Sequence, residues 1–525
     1  MFEKAELRRL HPAIYLLTGV FVVILCRTAW VSDDAFITFR TVDNLLNGYG
    51  LRWNVVERVQ SYTHPLWMFA IAAGQWVTGE PYFTTLALSA LFTLVAVIAI
   101  IGLADSPAAA IVGVALLICS KAFVDYSTSG LENPLTHALL AGFWLVAWRY
   151  PDRAGLLGVM LAFILLNRMD CVLLVAPAVA LAVLQRRSWG WSLRFAAGLA
   201  PFAVWEIFSV IYYGVPFPNT AYAKLASTGL GRRDLLGQAV LYFQDSLARD
   251  PVTLCTIAGV MAWAGVRRRL NEFAFAAGLL LYVVYIARIG GDFMSGRFLA
   301  APFFMAVLFI VHQRFGRWVT PGFATVAAAA AVIAIAPRTN FSGGHFGEGN
   351  QLTYIGSSGI SDERGFYYQW TGLLPVLHGT RIAETPWALE GRALASQGPR
   401  VVPSRSVGIV GYYAGPAVHV VDIYALCDPL LARLPSTDAW RIGHFERRLP
   451  DGYLETLATG RNTIREPGLA ELQRRLEVIT RDPVWSRRRF ETAVALNLEG
   501  YDELVAPWRS TARTPRPLQA LGSLH

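Results

Sequence analysis

Charge is scarce in this chain. Only 16% of its 525 residues are Asp, Glu, Lys or Arg against 54% hydrophobic, where a soluble domain carries roughly 25% charged residues, and the mean hydropathy is +0.41. That balance excludes an ordinary soluble domain and points to a multi-pass membrane protein. Cysteine is scarcer still, with five residues and no CxxC: Cys26, Cys119, Cys171 and Cys255 lie in apolar runs and Cys427 in a polar region. Neither a disulfide framework nor a cysteine metal site is implied. A glycine-rich nucleotide fingerprint following a strand is missing too. The net charge of +9 does not make a nucleic-acid surface, because the basic residues fall between apolar stretches rather than along one face.

Those stretches set the expected topology. The basic head and apolar body of the N-terminus lack a small-residue cleavage site, so 12–30 reads as an uncleaved first span. Runs of about 15–23 apolar residues, roughly enough to cross a bilayer, follow at 82–103, 108–123, 134–148, 154–167, 171–185, 191–213, 251–266, 272–288, 298–313 and 320–336. The expectation is an α-helical polytopic membrane protein with about eleven transmembrane helices. Loop charges decide how to treat the apolar stretch 65–79. If it lies in the interface, Arg8, Arg9, Arg149, Arg153, Arg186, Arg187, Arg194, Arg267 to Arg269, Arg314 and Arg317 share one side, which the positive-inside rule makes cytoplasmic.

The opposite side then collects SDDAFITFR (32–40), QSYTHPLW (60–67), YSTSGLENPL (126–135), LNRMD (166–170), PFPNTAYAK (216–224) and RIGGDFMSGRF (288–298). Their Asp, Glu, His, Asn and lone Arg residues suggest one extracytoplasmic site built from several loops. After Ala336 the composition turns polar. The expected division is a membrane module over 1–339, with a first outer loop at 31–81, and an extracytoplasmic α/β domain over 340–525. In that domain RSVGIVGYYAG (405–415) and AVHVVDIYAL (417–426) read as strands and ELQRRLEVI (471–479) as a helix.

Apolar residues at 35, 36, 39, 42, 45 and 46 predict an amphipathic helix from Asp33, ended by Asn47-Gly48-Tyr49-Gly50. Ser32 can cap it while Asp33 and Asp34 complement its dipole. Alternatively, a carboxylate at the lipid–water boundary can take a proton from a sugar hydroxyl, and Asp33, nearer the span, is favoured over Asp34. Arg288 and Arg297, with Arg40, Lys224 and His64, are candidates to hold a phosphate, since outward arginines run against the positive-inside trend. Glu132 and Asp170 sit at the mouths of spans and Asp292 in the glycine-rich loop between Arg288 and Arg297; with Tyr62 they are candidate sugar ligands, although Glu132 and Asp170 can equally bind Arg168. Tyr412, Tyr413, His419, Asp422, Asp428 and His444 either grip an acceptor or pack the outer domain.

The ordered series SDDAFITFR, GYG, ERVQSYTHPLW, SGLEN, GGDFMSGRF, GYYAGP, DPLLARLP and RIGHFERRLPDGY resembles the GT-C glycosyltransferases of the AftB and TfpW arabinofuranosyltransferase group. The resemblance covers most of the chain. It implies a GT-C fold, a catalytic carboxylate at Asp33 or Asp34, and transfer of arabinofuranose or a similar pentose from a polyprenyl-phosphate donor. The acceptor would be a glycan or glycoprotein: cell-wall arabinan, a lipid-linked glycan or pilin. The setting would be a bacterial inner membrane, with the lipid bilayer as partner and the site on the periplasmic or extracellular side. A divalent metal is possible and no other cofactor is implied. The alternatives are a transporter or flippase of a lipid-linked sugar, for which no repeated halves are seen, and a glycan polymerase or ligase.

Overall fold

A computed structural model describes residues 12–226, 228–313, 354–437, 439–511 and 516–517. The helical part runs α1 (Pro12–Thr28), α2 (Asp33–Leu46), α3 (Pro65–Thr78), α4 (Pro81–Leu103), α5 (Pro107–Cys119), α6 (Lys121–Asp125), α7 (Asn133–Arg149), α8 (Ala154–Asn167), α9 (Val172–Arg186), α10 (Trp189–Gly198), α11 (Ala200–Tyr213), α12 (Asn219–Ala221), α13 (Arg232–Arg249), α14 (Pro251–Arg267), α15 (Leu270–Ile289) and α16 (Arg297–His312). Among the described residues three helices are long and apolar enough to cross a membrane, 81–103, 169–186 and 270–289. The pair α10 and α11, bent by 48°, makes a fourth if counted as one span, and five further apolar helices are shorter. Ten of the eleven expected stretches lie on helices; the eleventh, 320–336, lies outside the described residues.

Two of those stretches are broken. The expected 108–123 stops at Ser120, whose hydroxyl caps α6 through the Phe123 N–H at 3.0 Å and meets Thr253 Oγ1 at 2.6 Å. Helix α13, which the loop assignment left unread, carries too many charged and polar residues to register as a span, yet it packs on α14 and α15.

In the polar half, α17 (Glu363–Thr371), α18 (Leu373–Leu377) and α19 (Pro386–Ser396) precede β1 (Arg400–Ser404), α20 (Ile409–Ala414) and β2 (Val418–Asp422). β1 and β2 pair in parallel, Arg400 beside Val418 and Ser404 beside Asp422. Within the stretch expected as a strand, 405–415, residues 409–414 form helix α20 instead, and this helix is closely packed. A Cβ on Gly411 would stand 2.7 Å from the Trp53 ring, and one on Gly408 would stand 2.1 Å from the Asp33 carbonyl oxygen. The glycines let α20 press against α2 and its following loop. Four helices close the chain: α21 (Tyr453–Thr459), α22 (Pro467–Arg481), α23 (Arg487–Leu498) and α24 (Asp502–Thr511).

The polar half contributes to three cores, one of them packing Val407, Ala414, Val418, Val420 and Cys427 against Ile37 and Trp53. Ile360, Tyr368, Ala388, Ile409, Ile442 and Phe445 join the main cluster built from the membrane helices, while Leu431, Leu434, Leu469, Leu472 and Leu476 form their own. Arg40, buried, ties the halves together by donating to the carbonyls of Trp53 at 2.9 Å and Val418 at 2.8 Å and to that of Gly411.

Candidate active site

Ser32 starts α2: its hydroxyl accepts the Asp34 N–H at 3.1 Å, fixing the first turn so that the two adjacent carboxylates diverge. Asp33 Oδ1 accepts the Ile409 N–H at 2.8 Å. Asp34 instead lines a chamber of about 530 Å³. All six polar stretches singled out in the sequence contribute to its wall: Asp34 and Thr38; Tyr62 and His64; Leu131 and Glu132; Arg168 and Asp170; Phe217 and Lys224; Asp292 and Arg297. Apolar side chains of α9 and α15, among them Val172, Leu173 and Ile289, complete it, with Ile442 and Phe445 from the polar half.

Glu132 is the electrostatic centre. It sits just before α7, and its Oε1 lies 3.4 Å from Arg168 Nη1 and 3.5 Å from Arg297 Nη2, with Oε2 3.5 Å from His64 Nδ1. Burial works to raise this carboxyl, but Arg297, His64 and Arg168 overrule it and hold it down at about 2. Burial pushes His64 below its ordinary value, opposed by Glu132, and Thr38 Oγ1 meets its Nε2 at 2.9 Å. Asp170 is already spoken for: Arg168 grips it with Nε at 3.1 Å and Nη2 at 2.5 Å, and the Tyr282 hydroxyl donates to it at 2.7 Å.

Asp292 hangs from a turn that glycine permits. Gly290 and Gly291 have φ of +85° and +76°, and a Cβ on Gly291 would lie 2.5 Å from the Tyr242 ring. The carboxylate accepts the Phe293 N–H at 2.9 Å and stands 3.5 Å from Arg297 Nη1. Burial raises it, with Arg297 and Lys224 opposing. Lys224 belongs to a π-helical turn, Tyr222–Ala226, a rare geometry enriched at functional sites. Among the described residues no carboxylate lies within ion-pair distance of it. Arg168 Nη1 and Arg297 Nε are buried without a hydrogen-bond partner among the described residues. Buried donors of this kind call for an acceptor, and with Lys224 they make this wall a place for an anion.

Several expected site residues stay outside the chamber. Arg40 is the bridge described above, and Arg288 is exposed at the end of α15. Tyr412 packs against Phe36 and Phe39, with ring centroids 5.7 and 6.4 Å away; Tyr413 lies under Arg392. Asp422 closes the turn after β2 by accepting from Tyr424 and Cys427, and Asp428 accepts from Leu431 and the Tyr453 hydroxyl. His419 lies 3.8 Å from Glu57. His444 stacks edge-on against Phe293 at 4.4 Å, while its neighbours Gly443 and Phe445 line the chamber. Conversely, the sequence reading treated Arg168 only as a partner for Glu132 and Asp170 and missed it as a chamber cation; its place among outward arginines was the available signal. It also gave no place to Glu363, which accepts from the Ser361 hydroxyl at 2.6 Å outside the chamber lining and is raised to about 8 by desolvation, with Asp34 and Asp33 adding to the rise. Nothing in the sequence connects position 363 to the first outer loop. Among the described residues no three His, Cys, Asp or Glu side chains gather as a metal site.

No family model matches the chain. It is 28% identical over 522 residues to the terminal beta-(1->2)-arabinofuranosyltransferase of Mycobacterium tuberculosis, covering 80% of this chain and 81% of that protein. A protein of the same name from Corynebacterium glutamicum is 27% identical over 557 residues, covering 84% and 79%. The fold is similar to that of ArnT from Cupriavidus metallidurans in the apo state, with a TM-score of 0.50 at 14% identity over 79% of this chain and 86% of that one. The fold is thus like that of ArnT, and the likeness to the two named relatives supports a membrane glycosyltransferase. Both named relatives are arabinofuranosyltransferases.

Proposed function

We propose that the chain transfers arabinofuranose, or a similar pentose, from a polyprenyl-phosphate donor to an extracytoplasmic glycan or glycoprotein, with the chamber on the periplasmic or extracellular side of a bacterial inner membrane. The observation that carries this reading is the single chamber in which a carboxylate, Asp34, shares the wall with Lys224, Arg168 and Arg297. A sugar phosphate leaving group needs cations, and an attacking hydroxyl needs a base. The apolar side of the chamber suits the lipid part of such a donor.

In the reaction the acceptor hydroxyl oxygen bonds to C1 of the sugar and gives its proton to Asp34, while the C1–O bond to phosphate breaks and its electron pair leaves on the polyprenyl phosphate. Lys224, with Arg297 and Arg168 on the same wall, meets the growing phosphate charge. Glu132 positions the two arginines, and His64 with Thr38 completes that network. Asp33 holds α20 against α2 and so keeps the first turn, and Asp34 with it, in place.

The test is the purified protein with radiolabelled polyprenyl-phosphoryl arabinofuranose. Label moving to an added glycan, or released by water at a lower rate, is the expected result. Translocation of intact donor across vesicles with no transfer or hydrolysis would replace this reading by a flippase.

A further inference from the structure

Helix α23 (Arg487–Leu498) belongs to the polar half, yet it wears an apolar ridge. Ser486 caps it through the Arg489 N–H at 3.2 Å, and Arg489, Ala493 and Leu496 face inward. Outward stand Phe490, Val494 and Leu498, four residues apart and 68%, 39% and 82% exposed, and just before the helix Trp485 is exposed at 85%. An exposed apolar patch of this kind marks an interaction surface.

What the helix is fastened to says which surface. Arg489 donates to the carbonyls of Ile211 at 2.8 Å and Tyr212 at 2.9 Å, and Asn497 donates to that of Gly214 at 2.8 Å. These are the last carbonyls of α11, the second arm of the bent pair apolar enough to be a span. That arm has its own outward ridge, Val204, Ile207 and Ile211, exposed by 65%, 61% and 37%. On a helical wheel at 3.6 residues per turn, Phe490 lies only about 20° from Asn497, so the ridge of α23 begins at the edge that touches α11 and continues its lipid-facing surface. Arg487, paired with Glu491 at 2.7 Å beside the ridge, and Arg488 are also exposed, which suits a headgroup region, and tryptophan favours the same depth.

We propose that α23 is an interfacial helix: the Phe490, Val494 and Leu498 ridge, with Trp485, is sunk in the lipid leaflet at the Gly214 end of α11, anchoring the polar half to the membrane. The proposal needs only that the chain is a membrane protein, so its failure would leave the glycosyl-transfer reading intact.

The experiment uses the full chain with the two exposed cysteines, Cys26 and Cys255, replaced by serine. A single cysteine at 490, 494 or 498 carries an environment-sensitive fluorophore, and a cysteine at Arg474, exposed on α22 (Pro467–Arg481), is the aqueous control. In nanodiscs of phosphatidylcholine and phosphatidylglycerol, all three ridge positions should show blue-shifted emission, most of which is lost when the acyl chains are brominated, while position 474 keeps its signal. Ridge labels that behave like 474 would overturn the proposal. So would a blue shift insensitive to bromine and lost on dilution to one chain per disc, which would assign the ridge to a second copy of the chain. Because the ridge side chains are exposed, replacing them removes no core packing, and donor turnover of each labelled protein checks its fold.

Discussion

The Asp33 carboxylate accepts the backbone N–H of Ile409 at 2.8 Å, a contact between residues 376 positions apart that seats α20 on the first turn of α2. The adjacent Asp34 makes no such bond and faces the chamber. Two neighbouring acids that looked interchangeable in the sequence therefore have different work.

Asp33 is predicted to act on stability more than on turnover. Burial, opposed by the Ile409 N–H and helped by the Asp34 charge, raises its carboxyl from 3.8 to about 7. A raised carboxyl contributes stability that is fully present below 3.8 and is lost as pH rises through about 7. Asp33→Asn keeps an acceptor for Ile409 but cannot titrate, so its unfolding temperature should fall less steeply than that of the wild type between those two pH values. Identical slopes in thermal unfolding would count against this role. Turnover of Asp33→Asn should stay well above the roughly 10²–10⁴-fold loss that removing a base produces.

Glu132 is predicted to hold the cationic wall together. Removing one partner of a buried ion pair costs about 3–5 kcal/mol because the other charge is left uncompensated, and here two arginines share the carboxylate. Glu132→Gln should lower the unfolding temperature sharply at neutral pH. The sign with pH is opposite to that of Asp33: a carboxyl depressed from 4.5 to about 2 contributes stability above its ordinary value and loses it as pH falls through about 2. The deficit of the variant should therefore shrink in acid, and a deficit independent of pH would show that the pairing is not its cause.

How far the sequence carried this picture depends on the range of the interaction. The helix over 35–46 was legible because its apolar period is set locally, but its amphipathic placement was not: Ala35, Phe36, Phe39 and Val42 are buried, and so are Ile37, Thr38, Arg40, Thr41 and Asn44 on the other faces. The six stretches lining the chamber were legible as a set because their charges run against topology and apolar composition. Which members point inward was not. Arg40 lies on the same short helix as Asp34 but turns toward Trp53 and Val418, partners that only the tertiary fold supplies. Residues 405–415 have the composition of a strand, yet Ile409–Ala414 among them form a helix, where Gly408 and Gly411 pass close to Asp33 and Trp53, a demand invisible in local propensity.

The cation prediction separates Lys224 from Arg288. A charge-assisted hydrogen bond contributes about 1.5–3 kcal/mol, so Lys224→Met should weaken donor binding by about tenfold or more with little effect on acceptor affinity. Arg288→Gln should leave donor affinity unchanged, since the side chain is exposed outside the chamber. Titration of donor analogue against each purified variant distinguishes them, and equal losses would mean that the phosphate lies elsewhere.

Topology is checked separately. Reporter fusions after Arg269 and at the C-terminus should report opposite sides of the membrane, because the basic loops and the polar half are assigned to different faces. The same side for both would overturn the placement of the chamber outside.

The decisive variant is Asp34→Asn. Asparagine is a good residue for a helix start and its size matches aspartate, so α2 should persist with only the modest loss of a first-turn charge, about 0.3–1 kcal/mol. Its amide has no useful proton affinity, so if Asp34 takes the acceptor's proton, turnover at saturating donor should fall by about 10²–10⁴-fold while the protein still binds donor through the opposing cations. Asp33→Asn, carrying the same chemical change one residue away, is the internal control: it alters the buried Ile409 contact but not the chamber wall. The measurements are turnover, donor affinity and thermal unfolding for both variants side by side. If Asp34→Asn turns over like the wild type, the base must be sought at Asp292, which shares the chamber and stands 3.5 Å from Arg297.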